Sequence, residues 1–593
     1  MKRLILFAFL SITLLACNQD KKKTMDNDLN QLYEDYYEER LTFFPLEATS
    51  QGDARYNDQL PNDISEAYRA KLGAFYQKYL DRLLAADASK LSEDDKVIYN
   101  TLKYSLEIEL QGLTFKTHLI PFQQFWGLPL TMGQLGSGQG SQPFKTVKDY
   151  DDWLKRVDGF AVWADTAIAN FKKGMATGYV LPKSLVVKMI PQMQDMIRED
   201  PAKSLFYGPV TQLPAGFSAA EKAEITKKYN SAIKEKLNTS FLKLRNFLKN
   251  EYLPKAGLSS GVLSIPEGKP YYNYMVKYWT TTSKTPDEIF QTGMSEVIRI
   301  RKEMEKVKEE TGFKGDLNAF FKYLKTDKKF TPYKTPEEVL AAFAAIQSRI
   351  TPHLASMFKN TPKTKFEIRR TEAFREASAS AEYIQGSADG SRPGIFYVPI
   401  PDAMQFNITS GMESLFLHEA IPGHHYQISL QQENTTLPKF MRFSWYGAYG
   451  EGWALYTESL GKELGLYTDP YQYMGALGDE MHRAIRLVVD VGIHTKGWSR
   501  EEAIKYMMDN QAISEDGATA EIERYMAIPG QALSYKIGAL KIAELRARFS
   551  SKLGDKFVLA DFHDQFLKHG CLPLDVLEEK LTAWADKISL PVQ

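Results

Sequence analysis

Apolar residues recur at intervals of three and four along most of this chain, the spacing that gathers them on one face of an α-helix. Leu29 to Phe44 carries the pattern and stops before Pro45; Ser65 to Ala85, Asp94 to Leu110 and Glu221 to Leu253 repeat it. Helix starts are marked as well. Thr285-Pro286-Asp287-Glu288, Thr335-Pro336-Glu337-Glu338 and Ser499-Arg500-Glu501-Glu502 each set a hydroxyl at the N-cap and a carboxylate three residues on. That arrangement is a capping box, and in the first two a proline takes the first helical position. The helices after the two Thr-Pro starts diverge at once, so they do not form a repeat. Strand signals are few. The clearest is Arg392-Pro393-Gly394-Ile395-Phe396-Tyr397-Val398-Pro399, after the turn-rich Ser387 to Ser391. Its two prolines predict a strand at a sheet edge, either the plain edge of a hairpin or a place where an extended peptide pairs its backbone. Gly133 to Gln142 is glycine-rich, but no Gly-Lys-Ser/Thr follows; it reads as a mobile loop and not as a phosphate cradle. The expected fold is mainly α-helical, α+β only through a small edge sheet.

The first residues break the pattern. Met-Lys-Arg precedes an apolar or small stretch from Leu4 to Ala16, and Cys17 follows. That is too short for a spanning helix, which needs about 20 apolar residues, and it has the form of a signal peptide. Leu14-Leu15-Ala16-Cys17 looks like a bacterial lipobox, with cleavage before Cys17 and lipidation of its thiol; the plainer alternative is a signal peptide with an incidental cysteine. Residues 18–30 are polar and Lys-rich, a flexible tether. One lipidated terminus with Lys21-Lys22-Lys23 against anionic headgroups is the expected anchor, and it places the protein at a bacterial cell envelope. Cys571 is the other cysteine, so no disulfide inside the mature chain builds the fold. A buried, inert thiol is the expectation for it.

The remaining chain is long enough for a large core and for two lobes, a helical N-terminal one over 31–262 and a second over 263–593, divided in the Gly-, Ser- and Pro-rich stretch from Gly257 to Lys269. Lys+Arg and Asp+Glu are both 74, so nothing points to a nucleic-acid partner. The 32 Tyr, 33 Phe and 8 Trp suit a ring-lined cleft, or equally a thick core.

The chemistry concentrates in Leu417-His418-Glu419-Ala420-Ile421-Pro422-Gly423-His424-His425 and in Glu451-Gly452-Trp453-Ala454, 27 residues after His424. Imidazoles and a carboxylate as ligands, with a second carboxylate to handle a proton, are what a hydrolytic zinc site needs. In the usual His-Glu-x-x-His motif the histidines stand at i and i+4 on one helix face. Here that position is Pro422. His424, at i+6, falls roughly 240° around and roughly 9 Å along an unbroken helix, and His425, at i+7, roughly 10 Å along it. Neither could share one ion with His418 unless the helix deforms. Pro422 and Gly423 permit this: if Ile421-Pro422 bulge out, His424 takes an effective i+4 place. His418, His424 and Glu451 are then the ligands and Glu419 the base. His425 remains open between a packing role, a supporting or substrate contact, and replacement of His424 as ligand. Glu458, seven residues after Glu451, shares its face two turns away and cannot bind the same ion; it is either a solvated helix charge or the carboxylate that orients His418. Asp490 is the other candidate for that task.

Amide hydrolysis also needs a donor for the developing oxyanion. Tyr525 and Tyr535 flank a Pro-Gly bend at Pro529-Gly530. Arg486, Asp490 and His494 follow at successive i+4 steps, with Arg483 just before them. They read equally as a surface ion pair with an exposed His or as one wall of a cleft. Tyr535 is the first choice for the oxyanion, with Tyr525 or His494 as deputies.

Glu451-Gly452-Trp453-Ala454 resembles the segment that supplies the third zinc ligand in gluzincin-type aminopeptidases. More broadly, Asp-Gly-Ser-Arg-Pro-Gly around Arg392, His-Glu-Ala-x-Pro-Gly-His-His, Glu-Gly-Trp-Ala-x-Tyr and Pro-Gly-Gln-Ala-x-Ser-Tyr-Lys-x-Gly occur in that order. They resemble a bacterial family called domain of unknown function 885, often secreted or lipid-anchored. The resemblance implies a gluzincin-like helical metallopeptidase with a deep channel between two lobes, and Arg392 joins the residues near the substrate. The expectation is a lipid-anchored, Zn2+-dependent peptidase acting on short peptides. A zinc hydrolase of a non-peptide amide or ester would use the same site. A helical lipoprotein that binds substrates for import would fit the length, the aromatics and the anchor, but gives no reason for the histidines.

Overall fold

The computed structural model describes residues 28–589, apart from 373–375, 377–379, 388–389, 391 and 410. The signal-peptide and Cys17 readings, most of the tether and part of the Ser387 to Ser391 turn lie outside these residues. The described chain is mainly helical with one three-stranded sheet. No described helix is long and apolar enough to cross a membrane.

Helices begin where side chains satisfy the free N–H groups of the first turn. Thr285 and Ser499 form complete capping boxes with Glu288 and Glu502. Thr335 caps the Glu338 N–H, but the Glu338 carboxylate takes the Lys334 N–H instead of returning to Thr335, so this third box is half-formed. Gly133 to Gln142 is not a free loop. Its first residues end the helix Leu128–Gly136, and Gln142 is buried as an acceptor for the Arg156 guanidinium.

The sheet has the order β1 (Phe366–Arg370), β3 (Gly394–Val398), β2 (Glu382–Ile384). β3 pairs β1 in parallel and β2 antiparallel. The Arg392 to Pro399 strand is therefore central and not at the edge. Pro393 and Pro399 fall just outside the paired residues 394–398, so neither withholds an N–H from the ladder.

Six helices build the site: α1 (Met412–Glu419), α2 (His424–Glu433), α3 (Gly447–Ser459), α4 (Pro470–Thr495), α5 (Glu515–Ala527) and α6 (Ser534–Leu553). Two large apolar cores meet at them, and both draw residues from either side of position 262. One includes Tyr36, Phe75, Phe343, Phe396, Phe416 and Trp453. The other includes Trp153, Phe241, Ile300, Met481, Val488 and Ile522. A small third core with Tyr272, Leu487 and Leu533 joins α4 to the start of α6. From Ala484 to His494 every residue of α4 is buried. Helices α3 and α6 touch backbone to backbone: a Cβ on Gly538 would lie 1.9 Å from the Ala448 carbonyl oxygen, and one on Gly452 2.6 Å from Gly538 Cα. This close approach brings the Glu451 turn beside the Tyr535 turn.

Candidate metal centre

His418 lies in the last turn of α1 and His424 begins α2, so the expected bulge is a complete helix break. Pro422 cannot donate an N–H, and the Gly423 backbone folds onto the end of α1 so tightly that a Cβ there would stand 2.0 Å from the His418 oxygen. Helix α3 stabilises the break. Trp453 Nε1 donates to the Pro422 carbonyl at 2.9 Å, and Thr457 Oγ1 to the Leu417 carbonyl at 3.0 Å. The second bond uses a carbonyl that the end of α1 leaves without a helical partner, and the first pins the connecting turn.

The break turns the two imidazoles toward one point, their rings perpendicular with centroids 4.9 Å apart. Glu451 Oε2 lies 3.6 Å from His418 Nε2 and 3.4 Å from His424 Nε2. All three ligand atoms fall within 4.8 Å of one another. Tetrahedral zinc with bonds of about 2.0–2.1 Å needs its ligand atoms roughly 3.3–3.4 Å apart. The donor set and both Glu451 spacings therefore fit such an ion, and three protein ligands are the number that catalytic zinc sites use.

Glu451 and Glu458, two turns apart on α3, address opposite edges of the same imidazole. Glu458 Oε1 is 2.7 Å from His418 Nδ1. That contact keeps Nε2 free for a metal, the usual role of a carboxylate behind a ligating histidine. Burial disfavours the charged His418, yet hydrogen bonds with Glu451 and Glu458 raise its pKa to about 10. Burial also works against an ionised Glu451, but hydrogen bonds from His418 and His424 hold its pKa well below the usual carboxylate range. Glu419 is half-buried beside them, with a hydrogen bond from the Tyr383 backbone; burial raises its pKa, against the pull of the two imidazoles.

The other sequence candidates separate into two groups. His425 points away from the cluster: its Nδ1 is 3.0 Å from the Tyr383 hydroxyl and its ring packs on Phe366. Burial lowers its pKa to about 4. Arg392 is exposed on the turn before β3. Asp490 does not meet His418. It accepts from the Tyr272 hydroxyl and the Gly530 N–H, and burial pushes it up to about 7. His494 is fully buried, with Nε2 donating to the Tyr525 carbonyl and Nδ1 accepting from the Val262 N–H. Both its nitrogens are thus committed to backbone, and burial lowers its pKa to about 4. Arg486, Asp490 and His494 are neither a surface ion pair nor partners of one another. Arg486 donates to the Tyr525 hydroxyl at 2.9 Å and pairs with Glu521 at 3.0 Å. Tyr525 in turn spends its proton on Glu521, which leaves it no donor for a substrate. Tyr535 has no hydrogen-bond partner among the described residues and lies with its ring 4.6 Å from the Arg486 guanidinium. Cys571 is buried with its thiol pushed up by burial.

Trp445 escaped the sequence reading. It is 46% exposed, with its ring 5.8 Å from that of His424. Only its place just before the Glu451 helix could have flagged it.

No curated protein matches this chain. Among solved structures, "the putative lipoprotein from Colwellia psychrerythraea" superposes with a TM-score of 0.87 at 28% identity, covering 95% of this chain and all of that one. "A putative lipoprotein of unknown function from Shewanella oneidensis" follows with a TM-score of 0.73 at 19% identity, covering 93% of this chain and 99% of the other. The second likeness is one of fold alone. The model of the bacterial proteins of unknown function called DUF885 matches residues 45–581, a span that takes in both histidine-bearing helices, the Glu451 helix and the Tyr535 turn. The chain belongs to the DUF885 family.

Proposed function

We propose that this protein is a zinc-dependent peptidase that hydrolyses short peptides at the envelope of a bacterial cell. The convergence of His418 Nε2, His424 Nε2 and Glu451 Oε2, with Glu458 fixing the far edge of His418, is the observation that carries this reading. When bound there, zinc would supply Lewis-acid polarisation of the scissile carbonyl and activation of water near neutral pH. Glu419, adjacent in sequence to His418 and not part of the ligand cluster, takes the proton from the attacking water and passes it to the leaving amine. Its raised pKa suits a group that must both accept and return a proton. Tyr535, with its hydroxyl uncommitted, donates to the oxyanion as charge develops.

Lipidation at Cys17 would hold the chain at the membrane. Both structural neighbours are called putative lipoproteins, and no described helix could span a bilayer.

The purified mature chain is expected to hold about one zinc per chain and to cleave members of a peptide library, with chelation abolishing cleavage. Zinc-loaded protein that cleaves no peptide would favour a non-peptide substrate; protein that binds peptides with neither zinc nor cleavage would favour the import-binding reading. Tyr535→Phe removes one hydroxyl. It is expected to lower kcat by roughly a hundredfold with little change in KM, because its hydrogen bond strengthens only in the transition state. A parallel rise in KM would make Tyr535 a ground-state contact instead.

A further inference from the structure

Helix α4 carries an arginine that the chemistry above does not use. Arg483 stands one turn after Asp479 and three residues before Arg486. Its neighbours tie it to both halves of the site. Asp479 Oδ2 accepts from Ser414 Oγ at 2.7 Å, on the helix that carries His418. Arg486 lies against Tyr535 and Tyr525. The charges that act on Arg483 are those of Glu458, Asp479 and Arg486. It therefore lies near the carboxylate behind His418 and one turn of α4 before the arginine that stacks on Tyr535.

Arg483 is poorly satisfied there. Its side chain is 17% exposed, and one nitrogen, Nη1, reaches the Asp479 carbonyl and Oδ1 at 3.2 and 3.3 Å. Charge-assisted bonds run to about 2.7–2.9 Å, so these are long. Nε is buried with no partner at all, and Nη2 has none among the described residues. Buried guanidinium donors are seldom left unpaired, because an unmade bond to a charged group is costly. Arg486, by contrast, bonds through Nε to the Tyr525 hydroxyl and through Nη2 to Glu521. Along this wall Arg483, Arg486 and Arg524 face three carboxylates, Asp479, Glu521 and Glu458, yet none of them bonds the Nε–Nη2 side of Arg483. The Nε–Nη2 edge of a guanidinium is the edge that grips a carboxylate with two parallel bonds.

We propose that this edge of Arg483 receives the C-terminal carboxylate of the peptide, so that the enzyme trims short peptides from their C-terminal end. The proposal rests on the peptidase reading for the word "trims" and on the unpaired guanidinium for the carboxylate.

The test compares Ala-Ala-Phe with its C-terminal amide. Binding of each is measured by calorimetry to the zinc-loaded mature chain carrying Glu419→Gln, with and without Arg483→Gln. Hydrolysis of each is measured with Glu419 intact. The free acid is expected to bind about 10- to 100-fold more tightly than the amide, the scale of a charge-assisted pair. Arg483→Gln should weaken the acid alone and erase the difference, and Arg483→Lys should keep part of it. Equal binding of acid and amide by the Arg483 protein overturns the proposal without any folding question. So does an equal loss on both peptides in Arg483→Gln, which would mean that Arg483 acts through Glu458. Binding of Ala-Ala-Glu amide as tightly as the free acid also overturns it, in favour of an acidic side chain as the ligand. If no peptide is hydrolysed while the acid–amide difference stands, the carboxylate site is supported and peptide trimming is overturned.

Discussion

His418→Ala, His424→Ala and Glu451→Ala are each expected to lose most of the bound zinc and, with it, all measurable peptide hydrolysis, while His425→Ala keeps most of both. Each of the first three removes one of the three protein donors found among the described residues, and the two that remain cannot define a catalytic site. The geometry separates the adjacent histidines. His424 Nε2 stands 3.4 Å from Glu451, whereas His425 Nδ1 is engaged with Tyr383 and its ring with Phe366. Glu458→Gln belongs to the same series with a smaller effect. Without the carboxylate at Nδ1, His418 loses both its orientation and some basicity, and zinc affinity should fall about 10- to 100-fold. Metal analysis of the five purified proteins, with affinity from chelator competition, reads out the whole set. Full occupancy in His424→Ala with loss in His425→Ala would make His425 the ligand and overturn the assignment.

The parts of this molecule that were legible from sequence are those whose cause is local. Thr285 and Ser499 open helices because the carboxylate that completes each box lies three residues away. The mainly helical fold with one small sheet follows from the apolar spacing in the same way. Thr335 shows where locality ends: Glu338 had a second donor in reach, the Lys334 N–H, and took it. The place of β3 was out of reach because its neighbours are five and three residues long and carry little periodic signal. At the site, the spacing of His418, His424 and Glu451 required a distortion at Pro422 and Gly423. What it could not show is that α3 holds the chain open there through Trp453 and Thr457, making a break where a bulge was expected. For Arg486, Asp490 and His494, i+4 spacing established a shared face but not its depth. That face is met by Tyr272, Val262 and Tyr525 from distant parts of the chain. The unpaired edge of Arg483 is a property of the assembled fold with no signature in sequence, and Trp445 is marked only by its place just before the Glu451 helix.

Glu419→Gln is expected to leave zinc content near that of the wild type and to lower kcat by at least about a hundredfold, the usual scale for loss of a general base. The substitution keeps the size of the side chain, and its amide oxygen can still accept from the Tyr383 backbone, so the local fold should hold. What it loses is the capacity to take a proton. Neighbours on a helix point roughly 100° apart, which directs Glu419 away from the ligand line that His418 follows. Among the described residues the metal-binding cluster is His418, His424 and Glu451, without Glu419. Base and ligand should therefore separate cleanly: Glu451→Ala loses metal and rate together, and Glu419→Gln loses rate alone. The two measurements also divide the possible failures. Wild-type turnover in zinc-loaded Glu419→Gln would remove Glu419 from the mechanism and leave the metal centre standing. Loss of zinc in the same variant would make Glu419 a ligand, and the proton would then have to be carried by another group near the cluster.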